Sequence, residues 1–175
     1  MGVAVLLVCP LALTGCGGSS ARPPTANSKQ RLRPLTPIQR RELLPFVRTT
    51  APRCTAFKRW YTARSNGLYM GGTPAQQRAE DAKWNTLFAE SIIRERLLID
   101  AVERTPAPRF ARRHVRAFTR ALRGELYVLT VELRLTREGR GDAITSNEMA
   151  KMIESATQGL RRTAALLGLN ACEQL

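Results

Sequence analysis

The chain has 175 residues, enough for one domain, and its 43% hydrophobic content is ordinary for a globular one. Formal net charge is +14, from 28 basic and 14 acidic side chains, and only Lys29, Lys58, Lys83 and Lys151 are lysine, which leaves 24 arginines. Slightly negative mean hydropathy argues against a multi-span membrane protein. The arginines are spread over every predicted helix, so the charge reads first as general use of Arg as a cation and second as phosphate recognition.

In chain order, Val3 to Leu13 come first as an apolar run of 11 residues. A bilayer-spanning helix needs about 20, so the run fits the apolar core of an export signal instead. It ends in Leu13-Thr14-Gly15-Cys16, followed by Gly17-Gly18-Ser19-Ser20. An aliphatic residue, two small residues and a cysteine resemble the lipobox of bacterial prolipoproteins, over the first 16 residues. The resemblance implies that residues 1–15 are a signal peptide and are removed. It also implies that Cys16 carries diacylglycerol as a thioether and becomes the first residue of the mature protein. Met1-Gly2 departs from the pattern, because signal n-regions are normally basic. That departure fits a translation start upstream of Met1. Palmitate and similar acyl chains, present as a pair, attach a protein firmly where one would be marginal. The expected address is extracytoplasmic: lipid-anchored to the cell membrane, or to the outer membrane if the organism has one.

Residues 16–35 then read as the lipidated N-terminus and a flexible, disordered tether. The stretch GGSSARPPTANSKQRLRPL is rich in Gly, Ser, Pro and cations and has little apolar surface to bury. Arg22, Lys29, Arg31 and Arg33 would lie near anionic headgroups, each contributing about 1 kcal/mol at most.

From Thr36 onward the apolar period is 3.6, which predicts an all-α domain over residues 36–175. Thr36-Pro37 and Thr73-Pro74 each place a capping hydroxyl before a proline at the first helical position, and Thr145-x-x-Glu148 fits a capping box. Breakers at Asn66-Gly67, Gly71-Gly72, Pro106-x-Pro108, Gly139-Arg140-Gly141 and Gly168 divide the domain into helices over about 37–65, 74–104, 108–138 and 146–167. The first should be kinked or split near Pro45 and Pro52, although Leu43, Val47, Cys54, Phe57 and Tyr61 keep helical spacing across both. Apolar arcs follow on the other three: Trp84, Leu87, Phe88, Ile92, Leu98, Ile99 and Val102; Val115, Phe118, Leu122, Leu126, Leu129 and Leu133; Met149, Met152, Ile153, Ala156, Leu160, Ala164 and Leu167. Four amphipathic helices with short links pack best as an antiparallel four-helix bundle. Met149 and Met152 read as core filler.

Of four cysteines, Cys9 leaves with the signal and Cys16 takes lipid. Cys54 and Cys172 remain in a disulfide-permissive compartment and are expected to pair. The bridge would close a loop of 172 − 54 = 118 residues. In the bundle Cys172, just past the last helix, would come near Cys54 on the first. The segment Leu167-Gly168-Leu169-Asn170-Ala171-Cys172 is loosely similar to the ends of small helical lipoproteins of high-GC actinobacteria. That likeness implies architecture and no activity.

Two constellations remain. Arg109, Arg112, Arg113, Arg116, Arg120 and Arg123 fill an arc of about 100° opposite the apolar face of the third helix. They read either as a solvated face or as a docking face for something anionic: lipid headgroups, wall polymers or an acidic envelope protein. Nucleic acid fits the charge but not the address. Glu95 sits inside the apolar arc of the second helix, and His114, Glu125 and Glu132 flank that of the third, as a buried polar cluster. Carboxylates and an imidazole in a bundle are similar to the ligands of di-iron carboxylate proteins. That family needs Glu-x-x-His on two helices, whereas the residue three before His114 is Ala111. No metal and no cofactor are therefore expected, and the acids should pair with arginines of neighbouring helices.

A single histidine excludes His₃ zinc sites, and no Gly-x-Ser-x-Gly, His-Glu-x-x-His or P-loop pattern occurs. The Gly67–Gly72 stretch lacks the strand-turn-helix setting of a dinucleotide site and reads as a connector. The sequence thus predicts a membrane-anchored envelope lipoprotein that acts as a non-catalytic interaction module. A small-ligand-binding lipoprotein, with a pocket inside the bundle near Glu95 and His114, is the second reading, and an enzyme the third.

Overall fold

The computed structural model describes residues 32–68, 73–173 and 175, apart from the side chains of Pro74 and Gln77. The expected signal peptide over residues 1–15, the expected lipid-bearing Cys16 and residues 17–31 of the expected tether lie outside the described residues. Among those described there is no strand, and four helices form a bundle: α1 (Pro37–Ser65), α2 (Pro74–Arg104), α3 (Arg112–Arg137) and α4 (Asn147–Leu167). Helix α3 packs against both α2 and α4, and α1 against α2 and α4. No helix among the described residues is long and apolar enough to cross a membrane.

The helix starts follow from local chemistry. The Gln39 backbone N–H donates to Thr36 Oγ1 (3.3 Å), and the Thr36 N–H donates back to Gln39 Oε1 (3.0 Å). Thr73 and Gln76 repeat the arrangement, at 3.4 and 2.9 Å. Each box satisfies donors that have no partner inside the helix. The expected Thr145–Glu148 box does not form. Gly141–Thr145 tighten into a 3₁₀ turn in which the Thr145 hydroxyl donates to the Asp142 carbonyl (2.8 Å). Ser146, with the extended backbone a cap requires, accepts the Met149 N–H instead, at 3.3 Å.

Helix α1 is continuous across Pro45 and Pro52, so of the expected kink or split the split is corrected. The two prolines lie seven residues apart, nearly two turns, and therefore share a face. Both are exposed, whereas Leu43, Phe46, Thr50, Cys54 and Phe57 are buried. The backbone bonds that proline deletes thus fall on the solvent side, where water replaces them, and the packed side of the ladder stays whole.

The core divides into two clusters along the bundle. One gathers Leu98, Ile99 and Val102 of α2, Val115, Phe118 and Leu122 of α3, and Leu160, Ala164 and Leu167 of α4 against Leu43, Phe46 and Cys54 of α1. The other gathers Phe88, Val128, Val131, Leu135, Ile144 and Met149. Leu126, Leu129 and Leu133, expected in the α3 core, are only partly buried, and Val128, Val131 and Leu135 take the deep positions. A helix packed on two neighbours buries a wider arc than one apolar stripe marks. Leu35, ahead of α1, is also buried in the first cluster, so packing begins before the first helix.

At the far end Gly168 adopts φ 71°, and the Leu169 N–H donates to the Ala164 carbonyl (2.9 Å). This left-handed cap reverses the chain, which then buries Leu169 and brings Cys172 to Cys54. The two cysteines form a disulfide, with Cα atoms 5.1 Å apart and both side chains fully buried.

Candidate functional site

The α3 arginines come from a helix whose other face is spent on the core. Arg109, Arg112, Arg113, Arg116, Arg120 and Arg123 are all exposed. Five of them, all but Arg109, line an open groove of about 960 Å³, whose other side is Glu103 to Ala107 at the end of α2. Arg123 is neutralised there by Glu103 at 2.6 Å. On the same rim Arg104 reaches Asp100, at 3.6 Å. Arg112, Arg116 and Arg120 have no acidic partner among the described residues. They follow one another at intervals of four, so successive guanidinium groups stand on one face and repel. The groove is therefore a concave surface with excess positive charge and an apolar floor that includes Val115.

The second site lies inside the bundle. Glu95 lies between Phe88 and Leu98 on α2, Glu125 between Leu122 and Val128 on α3, and Thr157 beside Ala156 and Leu160 on α4. These positions fall at the seam between the two core clusters. There Glu95, Glu125 and Glu132 line a cavity of about 160 Å³, with Phe57, Tyr61 and Thr157 among its other walls. Glu95 is 2% exposed and Glu132 is 9% exposed, so both carboxyls are effectively out of water. Two oxygens, Glu95 Oε2 and Glu125 Oε1, are buried with no hydrogen-bond partner.

The electrostatics follow from that burial. Desolvation, reinforced by the Glu125 charge, pushes Glu95 up to about 8 and Glu132 up to about 7. Desolvation also raises Glu125, against the opposing pull of a hydrogen bond from Thr157 and the Arg161 charge. Burial and the charges of Glu132 and Glu125 push the Tyr61 phenol up to about 12, so it stays protonated and able to donate.

Two sequence expectations are corrected here. His114 does not belong with the carboxylates: it is buried elsewhere, and its Nε2 donates to the Arg33 carbonyl oxygen at 2.7 Å. It serves to hold the segment ahead of α1 against α3. Nor do Glu95 and Glu132 pair with arginines. No ion pair reaches Glu95 or Glu132 among the described residues, and Arg161 acts on Glu125 alone. The arginines of α2, α3 and α4 are exposed, and the Arg161 Nε donates to the Glu173 carbonyl oxygen at 3.3 Å. Sequence reading placed Tyr61 only as an apolar position and passed over Thr157. The seven-residue interval between Glu125 and Glu132, which sets both on one face of α3, was the available signal. No group of three or more metal-ligating side chains with coordinating geometry occurs among the described residues. Comparison with protein-family models, with curated proteins and with solved structures finds no match to this chain.

Proposed function

We propose that this is a lipid-anchored envelope protein whose helical domain docks on the anionic surface of the membrane that holds it. The groove of α3 carries the reading: exposed arginines, of which Arg112, Arg116 and Arg120 lack an acidic partner among the described residues, line one concave face. The anchor is supported by the lipobox at Leu13-Thr14-Gly15-Cys16, which would keep the domain within a tether's length of the headgroups. Screening confines the attraction to about 8 Å at physiological salt, so it acts once the tethered domain meets the headgroups. Arginine suits the task because its planar fork binds phosphate through two hydrogen bonds. The helices are proposed to run antiparallel, up and down, which agrees with the pairing of α2 with α3 and of α3 with α4. The role is that of an interaction module, and no residue is assigned a catalytic step.

Two measurements test the reading. Mass spectrometry of the membrane fraction should find a mature N-terminus at Cys16 bearing diacylglycerol, and Cys16→Ala should stay unprocessed. A mature, membrane-bound Cys16→Ala protein would end the anchor proposal. Separately, the chain from residue 17 onward should float with vesicles containing phosphatidylglycerol and not with pure phosphatidylcholine. That binding should weaken steeply between low and physiological salt. Binding to purified wall polymer but to neither vesicle would replace the membrane as the docking partner.

A further inference from the structure

The cavity at the seam poses a different question from the arginine groove. Three glutamates of α2 and α3 line a space of about 160 Å³, yet among the described residues no ion pair reaches Glu95 or Glu132. A buried carboxyl normally finds a partner, because a polar atom taken out of water and left unpaired is costly. Here Glu95, 2% exposed and part of the cavity wall, leaves Oε2 without one among the described residues. Glu125 Oε1 is in the same condition. Two carboxyl oxygens of the seam thus stand without a partner among the described residues.

The walls limit what could supply one. Val128, Leu129 and Ile153 are aliphatic, and Phe57 and Tyr61 offer aromatic faces. Tyr61 and Thr157 are half-buried at the outer side, while Glu95 closes the inner end. A cavity of this size holds about six non-hydrogen atoms, as an apolar cavity of similar volume holds benzene. The carboxylates are not grouped closely enough to ligate one metal ion. An ammonium group, by contrast, offers three donors, tolerates loose geometry, and is attracted by aromatic faces.

We infer that the seam cavity binds a small aliphatic ammonium ligand, with Glu95 Oε2 and Glu125 Oε1 accepting from its nitrogen and the alkyl part lying against Val128, Leu129 and Ile153. This is independent of the docking reading, because the cavity shares no residue with the arginine groove. The facing titratable groups are Tyr61 from α1, Glu95 from α2, Glu125 and Glu132 from α3, and Arg161 from α4. Tyr61 keeps its proton near neutral pH. Glu95 and Glu132 are raised far enough to hold protons in the empty site, which an entering cation displaces.

Isothermal titration of the full-length chain in non-ionic detergent, with 1,4-diaminobutane as probe and 1,4-butanediol as its neutral isostere, tests the inference. The diamine should bind with release of protons, seen as a heat that varies with the ionisation enthalpy of the buffer. The diol should not bind. Affinity should fall roughly tenfold per pH unit below about 8, where Glu95 takes up its proton. Glu95→Gln should abolish binding while leaving the circular dichroism spectrum unchanged, and Glu132→Gln should weaken it. Equal binding of diol and diamine, no binding of the diamine at pH 8, or full binding by Glu95→Gln would each overturn the inference. Tighter binding of calcium or zinc than of the diamine would do the same.

Discussion

Burial, reinforced by the charge of Glu125 on α3, raises the proton affinity of Glu95 on α2, and both residues line the seam cavity that divides the core. The relationship has a consequence for stability. Glu95 passes from 4.5 in the unfolded chain to about 8 in the folded protein, and Glu132 from 4.5 to about 7. A raised carboxyl makes the folded state bind more protons than the unfolded state between its two values. Stability from these groups is therefore fully present below 4.5 and is lost as pH rises, for Glu132 through about 7 and for Glu95 through about 8. Urea midpoints should fall between pH 5 and pH 8, and Glu95→Gln should flatten that fall. Rising stability across the same window would show that the seam is solvated.

The disulfide gives a second expectation. Closing a loop of 118 residues restrains the unfolded chain by about 4 to 5 kcal/mol in the chain-entropy model. Cys172→Ala, or reduction, should lower the urea midpoint strongly. Hydrogen exchange should locate the first loosening in the Asn170–Cys172 turn and in α1 around Cys54, because that turn packs on α1. A midpoint unchanged on reduction would mean that the packing of Leu35, Leu43 and Leu169 alone fixes the turn.

The exposed prolines of α1 give a third. Proline in a helix interior costs about 3 kcal/mol relative to alanine, and part of that is offset because proline also restricts the unfolded chain. Pro45→Ala and Pro52→Ala should each raise stability by about 1 to 2 kcal/mol. Both sites face solvent, so no cavity forms. Loss of stability in either variant would mean that the ring itself packs on a neighbour.

Legibility in the sequence divided along physical lines. Helix boundaries were readable because caps and breakers are local: Thr36, Thr73 and Gly168 act within one turn of themselves. The cysteine pairing was readable because few thiols remain once the lipobox is set aside. What was lost needed a third dimension. His114 and Glu132 both flank the apolar face of α3, and nothing along the chain says that one meets the Arg33 carbonyl and the other a cavity. The depth of Val128 and Val131 over Leu126 and Leu129 likewise depends on which neighbours α3 packs between. Whether an arginine reaches a buried acid depends on the path its stem must take, which spacing does not record.

The last prediction separates docking from folding on α3. Arg112, Arg116 and Arg120 stand four residues apart, and like charges at that interval destabilise a helix by about 0.2 to 0.5 kcal/mol per pair. No acid neutralises them among the described residues, whereas Arg123 is held by Glu103 at 2.6 Å. A face kept for stability alone would not carry such a series. Replacing these three with Gln should therefore leave thermal stability unchanged or raise it slightly, since Gln is as good a helix former as Arg and the repulsion is gone. The same triple variant should lose most of its binding to vesicles containing phosphatidylglycerol. Arg123→Gln should behave differently: it removes an exposed ion pair of at most about 1 kcal/mol and affects vesicle binding less, because that guanidinium is already occupied. If the triple variant melts lower and binds vesicles as before, the arginines serve the fold and the docking proposal fails.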